Sequence, residues 1–335
     1  MDIATVTAED RSGDAPGLAV PVPFNCALAA GHVALNLYQF FLLPLILLPA
    51  SSWWGLTVVP VALMSNSFWS LIHEAIHDHF HLRLRSNYFA GRLLSVFFGS
   101  SFLLLRLSHL LHHKLNRSPR EATEAYDPAG SSAFKAAAGY YFQILGGLYL
   151  VELISPLLFL FPRRGLAAFS RRCLDPGSMS ALLVRSLAEP RALRDMRVDT
   201  ITVAALLISS FVCYGENWAW LAGSLAVRAF LISFLDNVYH YGTRIDDTAY
   251  ASNLWLAPLL AKGLLHFNLH GVHHKNPALP WAMLPAAYAQ EGRPVRRIVF
   301  HRRGATTGGS RADRKAQCEE WSAGVVERWS NGRLE

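Results

Sequence analysis

Four long apolar stretches dominate the pattern of hydrophobic and polar positions along the chain. Residues 26–49 and 51–72 form one pair with almost no connection between them, and residues 200–215 and 218–235 form a second pair. An apolar helix needs about 20 residues to cross the hydrocarbon core of a bilayer. We therefore predict an all-α integral membrane protein with about four transmembrane helices in two hairpins.

Two further apolar stretches do not fit a simple crossing. Residues 89–113 contain Arg92 and Arg106, and residues 134–162 lead from a histidine group to an arginine-rich loop. We predict an interfacial helix for the first stretch and a half-buried or re-entrant helix for the second. This topology leaves a histidine-rich cap on the cytoplasmic side.

Composition and charge agree with a membrane protein. Hydrophobic residues make up 52% of the chain and charged residues 16%, with a net charge of +7. Residues 163–197 contain eight arginines against three acids, and residues 292–335 contain ten basic residues against five acids. Both segments are predicted to face the cytoplasm under the positive-inside rule. The predicted turns also place four tryptophans at one membrane interface, namely Trp53, Trp54, Trp218 and Trp220. Since no nucleic-acid-reading motif accompanies the basic residues, we expect no nucleic-acid partner.

The chain is predicted to have three parts. Residues 1–25 form a flexible cytoplasmic N-terminus without the features of a cleaved signal peptide. Residues 26–285 form the membrane domain, and residues 286–335 form a basic cytoplasmic tail. The four cysteines form no CxxC pair, so they indicate neither disulfides nor a cysteine-bound metal.

Eight of the fourteen histidines fall into three groups with helical spacing. The groups are His73 and His77; His109, His112 and His113; and His270, His273 and His274. The first group, HEAIH, also fits the HExxH motif of zinc metalloproteases, in which Glu74 would be the general base. That interpretation leaves the other two groups unexplained, whereas two metal ions with four or five ligands each use the whole set. The spacing therefore favours a dinuclear site, and an intramembrane zinc protease is the alternative from a different class.

One HxxxH box followed by two HxxHH boxes between His73 and His274 resembles the integral-membrane fatty acid desaturase and hydroxylase superfamily. The resemblance implies a non-haem di-iron centre on the cytoplasmic side, with dioxygen as co-substrate. It also implies that His240, which precedes the third box, is a further metal ligand.

Several other polar residues are candidates for supporting the ligands. Asp236 and Asn237 precede His240 by four and three residues, so either could orient a ligand or a metal-bound water, or cap a helix end. We expect Glu74 to support a ligand or to form a salt bridge. Glu121, Glu124 and Asp127 are expected to lie on a solvated helix, with support of a ligand as the alternative. Ligand and interfacial roles both stay open for His79, His81 and His266, and the interfacial role is favoured for His81. We expect His32 and His301 to be structural or solvated.

The resemblance implies an oxidoreductase acting on a fatty acid or fatty acyl chain in a lipid environment. Desaturation is the leading hypothesis, and the alternatives are 1-alkene-forming decarboxylation, then hydroxylation of a lipid or alkyl chain or a carotenoid-type oxygenation. The chain has no GxGxxG fingerprint and no CxxC motif, so electrons are expected from a separate ferredoxin-like donor. We expect a bacterial inner membrane location with the metal site facing the cytoplasm.

Overall fold

The computed structural model describes residues 19–118, 121, 125–126, 131–243, 247–291 and 306–307. Most of the predicted N-terminal segment 1–25 and of the predicted tail 286–335 lies outside these residues, as do Glu124, Asp127 and His301. The first helix begins at Val22 and the last described helix ends at Glu291, so helical structure passes both predicted domain boundaries.

Nearly all of the described chain is helical. The helices in chain order are α1 (Val22–Ala50), α2 (Val58–Leu63), α3 (Ser65–Ile76), α4 (Leu84–Phe98), α5 (Phe102–Leu115), α6 (Ala133–Leu160), α7 (Arg163–Cys173), α8 (Met179–Leu187), α9 (Pro190–Tyr214), α10 (Trp218–His240), α11 (Pro258–Gly263), α12 (His270–Lys275) and α13 (Leu284–Glu291). Short 3-10 turns lie at Ser52–Thr57, Gly215–Asn217, Phe267–Leu269 and Trp281–Met283. Two short strands, β1 (Ala125–Tyr126) and β2 (Thr306–Thr307), pair in parallel.

Three continuous helical stretches are long and apolar enough to cross a membrane: Val22–Ala50, Ala133–Leu160 and Pro190–His240. The number rises to five if the bent pairs α2 with α3 and α4 with α5 each count as one span. No more than 33% of each continuous stretch's most apolar window is buried within the protein, which leaves apolar side chains free to face lipid. The protein is therefore an all-helical membrane protein with three to five candidate spans.

The third of these stretches folds back on itself as the predicted second hairpin. Arg92 contacts Asp199 in α9, and the nearby Phe97 carbonyl accepts a hydrogen bond from Arg228 in α10. In one straight helix Asp199 and Arg228 would be about 43 Å apart, so two contacts from the same stretch of α4 require a hairpin. The turn lies at Gly215–Asn217, as the sequence predicts.

The two tryptophan-bearing turns lie together. The 3-10 turn Ser52–Thr57 exposes Trp53 and Trp54, and Gly55 packs directly on the ring of Trp220 at the start of α10. The 23 residues of α10 span about 34 Å, roughly the thickness of a bilayer's apolar core. His240 at the other end of α10 is therefore one membrane thickness away from the tryptophans.

The prediction of one interfacial helix over residues 89–113 is wrong. The structure has two helices there, α4 and α5, which meet at an angle of 101°. Gly99 ends α4 in a left-handed conformation with φ of 107°, and its N–H donates to the carbonyls of Ser95 and Val96. Glycine adopts this conformation without a Cβ penalty, so the chain turns sharply at that point.

The bend between α4 and α5 is fixed to α9 by polar contacts. The Arg92 guanidinium donates to Asp199 Oδ1 over 2.6 Å, and the Ser101 hydroxyl donates to Asp199 Oδ2 over 2.9 Å. Beside this contact, the main hydrophobic core packs α3, α4 and α5 together, with Phe68, Phe98 and Phe102 fully buried. The core therefore holds α5 at an angle that directs its last turns toward the end of α3.

Two other predicted segments have a different form in the structure. The predicted second span, residues 51–72, is divided into α2 and α3 with a bend of 40°, and α3 continues to Ile76, so His73 lies within the helix. The segment predicted as half-buried or re-entrant is α6, which is interrupted at Gly146, where φ is 125°. Its length and composition also fit a full crossing.

Candidate metal centre

The three histidine groups and His240 lie at helix ends that converge on one region. His73 is in the last turn of α3 and His77 caps it, the second group is in the last turns of α5, and His240 ends α10. The third group lies within the short helix α12. Because the C-terminal end of a helix carries partial negative charge, the ends of α3, α5 and α10 favour a bound cation.

Five imidazoles form the first group of potential ligands, which we call the five-histidine cluster. Its facing Nε2 atoms are 3.0 to 3.1 Å apart in a continuous chain of four contacts. The ligand atoms of the cluster all lie within 4.8 Å of one another. The members in order of contact are His73, His273, His113, His109 and His77.

Four imidazoles form the second group, which we call the four-histidine cluster. The Nε2 atoms of successive members are 3.1 to 3.2 Å apart, and the ligand atoms again lie within 4.8 Å of one another. The members in order of contact are His112, His274, His270 and His240.

Hydrogen bonding cannot explain these contacts. An imidazole nitrogen offers one proton or one lone pair in the ring plane, yet His109 Nε2 faces both His77 and His113. Metal–imidazole bonds of about 2.1 Å at right angles place neighbouring nitrogens about 3.0 Å apart. The observed spacings therefore match the edges of two metal coordination shells, and the all-nitrogen donor set suits iron as well as zinc.

The two clusters divide the histidine boxes in a way that spacing alone does not reveal. In α5, His109 and His113 contribute to the five-histidine cluster, whereas His112 contributes to the four-histidine cluster. In α12, His270 and His274 contribute to the four-histidine cluster, and His273 contributes to the other. Each of these helices therefore supplies both clusters.

Burial keeps four of the imidazoles neutral. Desolvation lowers the pKa of His77, His270, His273 and His274 well below the ordinary value of 6.5, and neighbouring histidines lower it further. A neutral imidazole has a free lone pair at neutral pH, which is the form that binds a metal.

Carboxylates contact the outer nitrogens of two cluster histidines. Glu121 Oε1 lies 2.5 Å from His112 Nδ1, so a proton on Nδ1 leaves Nε2 free to bind metal. The expectation that Glu121 lies on a solvated helix is therefore wrong, and its contact with His112 agrees with the alternative that it supports a ligand. Glu74 is buried with its Oε1 3.8 Å from His73 Nδ1, and its Oε2 accepts a hydrogen bond from the Trp281 N–H over 3.1 Å.

The two candidates before His240 lie in different surroundings. Asn237 accepts a hydrogen bond from the Tyr140 hydroxyl over 3.0 Å. Asp236 lines a cavity beside the clusters and keeps an exposed side chain. Both residues lie near the C-terminal end of α10, which ends at His240.

The histidines outside the boxes have other contacts. His79 is buried and its ring stacks on His77, while His81 Nδ1 accepts a hydrogen bond from the Arg83 N–H over 2.9 Å. His266 has a φ of 53° and stacks on Trp281, and His32 stacks on Phe68 inside the helical bundle. Neither cluster includes any of these four histidines.

Two local contacts hold the histidine boxes in place. Arg106, in α5, donates to both carboxylate oxygens of Asp78, over 2.9 and 2.7 Å, and Asp78 follows His77 with a φ of 61°. This bidentate pair joins the first box to the second. Gly271, within the third box, lies so close to the Ala251 carbonyl that a Cβ atom would be 2.4 Å from that oxygen.

A cavity lined by residues of α3, α6 and α10 and by the segment before α12 borders both clusters. Its wall includes Phe267, whose ring centroid is 4.9 Å from that of His73 and 4.7 Å from that of His270. Tyr239 also lies between the cavity and His270, at 4.6 Å. Aromatic rings of the cavity wall therefore contact imidazoles of both clusters.

Comparison with known proteins identifies the family to which this arrangement corresponds. The family model described as Fatty acid desaturase matches residues 51–303, more than half of the chain and a range that includes all nine cluster histidines. A search of curated proteins finds no match.

Proposed function

The chain belongs to the fatty acid desaturase family, and on that premise we propose that it is a dioxygen-dependent di-iron oxidase that desaturates a fatty acid or fatty acyl chain. The observation that carries the proposal is the pair of imidazole clusters, with five and four members. A single metal ion does not need nine histidines, whereas two ions use all of them.

In this proposal the five-histidine cluster holds one iron and the four-histidine cluster holds the other. When bound, the two irons would supply the redox chemistry that activates dioxygen and removes hydrogen from an unactivated C–H bond. Glu121 would keep the proton of His112 on Nδ1.

The cavity would bind the aliphatic chain next to the clusters. Leu148, Leu235 and Leu264 give its wall an apolar surface that matches a hydrocarbon chain. Phe267 and Tyr239 pack against the cluster imidazoles and would set how closely the chain approaches them.

Decarboxylation to a 1-alkene and hydroxylation remain the alternative reactions, since both begin by attack on the same kind of chain. The zinc protease hypothesis has less support. The Glu74 carboxylate faces the Nδ1 edge of His73, whereas the metal-facing atom is Nε2, so Glu74 is on the wrong side to activate a metal-bound water.

Charge supports a cytoplasmic location for the clusters. The hairpin of α9 and α10 brings Pro190 and His240 to the same end, so the arginine-rich segment 163–197 lies on the side of the clusters. Under the positive-inside rule this side faces the cytoplasm, in our proposal that of a bacterial inner membrane. A separate ferredoxin-like protein would deliver electrons there.

Metal analysis of the purified, detergent-solubilised protein tests the proposal. We expect about two irons per chain, and loss of iron in the double variant His112→Ala with His273→Ala, which removes one imidazole from each cluster. His81→Gln is the matched control, because His81 is a histidine outside both clusters. One zinc per chain that persists in the double variant would contradict the proposal. With iron established, comparing lipid products with and without dioxygen distinguishes an alkene from an alcohol or a shortened 1-alkene.

A further inference from the structure

The cavity beside the clusters carries acidic side chains in an otherwise mostly apolar wall. Glu152 from α6 and Asp236 from α10 both line it, together with the smaller polar side chains of Asn66 and Ser70. No lysine or arginine is among the described residues that line it. The two carboxyl groups of the wall therefore have no cationic side chain beside them within the cavity.

Glu152 needs a partner that the protein does not supply. Its Oε2 atom is buried and has no hydrogen-bond partner among the described residues. A buried carboxylate oxygen without a partner is costly, because it loses its hydration and gains nothing in return. Asp236 lines the same cavity with an exposed side chain, so both acids are available to a molecule that enters.

The chemistry of the wall selects between polar groups. A free fatty acid would bring a third carboxyl group beside Glu152 and Asp236, and carboxyl groups in one site must share protons or repel one another. An O–H or N–H group would instead donate to Glu152 and Asp236 and satisfy the buried oxygen. The apolar residues of the same wall would hold the attached hydrocarbon.

We propose that the cavity binds the donor-bearing polar group of an amphiphilic substrate, an O–H or N–H attached to a hydrocarbon chain, and excludes a free carboxylate. The inference rests on the proposed function, in which this cavity is where the chain is oxidised, and it narrows the substrate class. It also disfavours the decarboxylation alternative, which requires a carboxylate beside the metal centre.

Calorimetric titration of the purified protein in nonionic detergent tests this. The probes are dodecylamine, dodecanol and dodecanoate, which have equal chain length, and titration of each probe into protein-free detergent corrects for its partition into micelles. We expect the wild type to bind dodecylamine and dodecanol at least about tenfold more tightly than dodecanoate, the usual effect of one charge-assisted hydrogen bond. The two donors separate the contribution of positive charge from that of hydrogen bonding.

Variants locate the effect. In Glu152→Gln with Asp236→Asn we expect dodecylamine to bind about tenfold more weakly and dodecanoate to gain affinity. Each single variant is measured as well, so a double variant that does not fold leaves the comparison intact. Glu216→Gln, in the exposed turn between α9 and α10, is the control acid and is expected to leave all three affinities unchanged.

The inference is overturned if wild-type protein binds dodecanoate as tightly as dodecylamine and dodecanol, or if the cavity variants leave the affinities unchanged. Iron content separates this outcome from failure of the proposed function. A protein that discriminates the three probes as expected but holds no iron would contradict the di-iron oxidase and support the binding preference.

Discussion

Replacing Gly271 with alanine tests whether the third histidine box (His270, His273 and His274) holds both clusters together. The added Cβ would lie 2.4 Å from the Ala251 carbonyl oxygen, whereas ordinary contacts begin at 3.4 Å, so helix α12 and this carbonyl must separate by about 1 Å. The carbonyl cannot retreat freely. The Ser252 N–H donates to the Tyr239 carbonyl and Leu254 N–H to the Asn268 carbonyl, each over 2.8 Å.

The required displacement exceeds what a metal site tolerates. Metal–ligand distances in a fitting site stay within about 0.2 Å of their ideal values, whereas α12 must move by about 1 Å. Because α12 supplies both clusters, we expect both metal ions to be lost or bound much more weakly. The steric strain itself is expected to cost about 1–3 kcal/mol of folding free energy.

The assay is iron content per chain of purified Gly271→Ala, measured with the thermal unfolding of the metal-free protein. Gly223→Ala is the matched control, since this glycine lies in α10 with no atom within 4 Å of the position a Cβ would take. We expect the control to retain about two irons and Gly271→Ala to retain less than half of them. Full iron content in Gly271→Ala would refute the close packing of the third box and the coupling of both clusters to α12.

Three further perturbations test the surroundings of the clusters. Glu121→Gln removes the charge beside His112 Nδ1, so metal binding measured by chelator competition is expected to weaken about 10–100-fold, and unchanged affinity would contradict the contact. Arg106→Lys keeps the positive charge but loses the bidentate hydrogen bond to Asp78, so we expect a lower melting temperature and a reduced iron content. The exposed Arg164→Lys is the control and is expected to change neither quantity. Metal-free protein is expected to melt at lower temperature as pH falls from about 7.5 to about 5. Burial lowers the pKa of His273 well below 6.5, so the unfolded chain binds more protons than the folded chain in this window. A melting temperature independent of pH over the same window would contradict neutral, buried imidazoles.

Local spacing made a large part of the architecture predictable. Histidines three and four residues apart share a helix face, and each box follows an apolar run, so the sequence alone places the boxes near helix ends. The turn at Gly215–Asn217 was predictable because a glycine and polar residues interrupt an apolar run long enough for two crossings. Gly99 with the serines that follow it was a usable signal for the bend between α4 and α5, since glycine ends helices and serine begins them.

Contacts between residues distant in sequence were not predictable from one chain. The spacing indicates that His112 and His113 are both ligands, but the assignment of each to a cluster depends on the angle between α5 and α12. Glu121 reaches His112 only because the chain reverses after α5. Glu152 and Asp236 meet in one cavity because α6 packs against α10, which no local pattern reveals.

The interleaved boxes couple the two clusters mechanically. Adjacent residues of α5, His112 and His113, belong to different clusters, and so do the adjacent residues His273 and His274 of α12. A metal ion in the five-histidine cluster therefore fixes the orientation of the same two helices that provide three of the four imidazoles of the other cluster. The first ion bears most of the entropic cost of ordering these helix ends, so the second ion binds to a site that is already formed. Filling of the two clusters is therefore expected to be cooperative, and a defect in one box affects both.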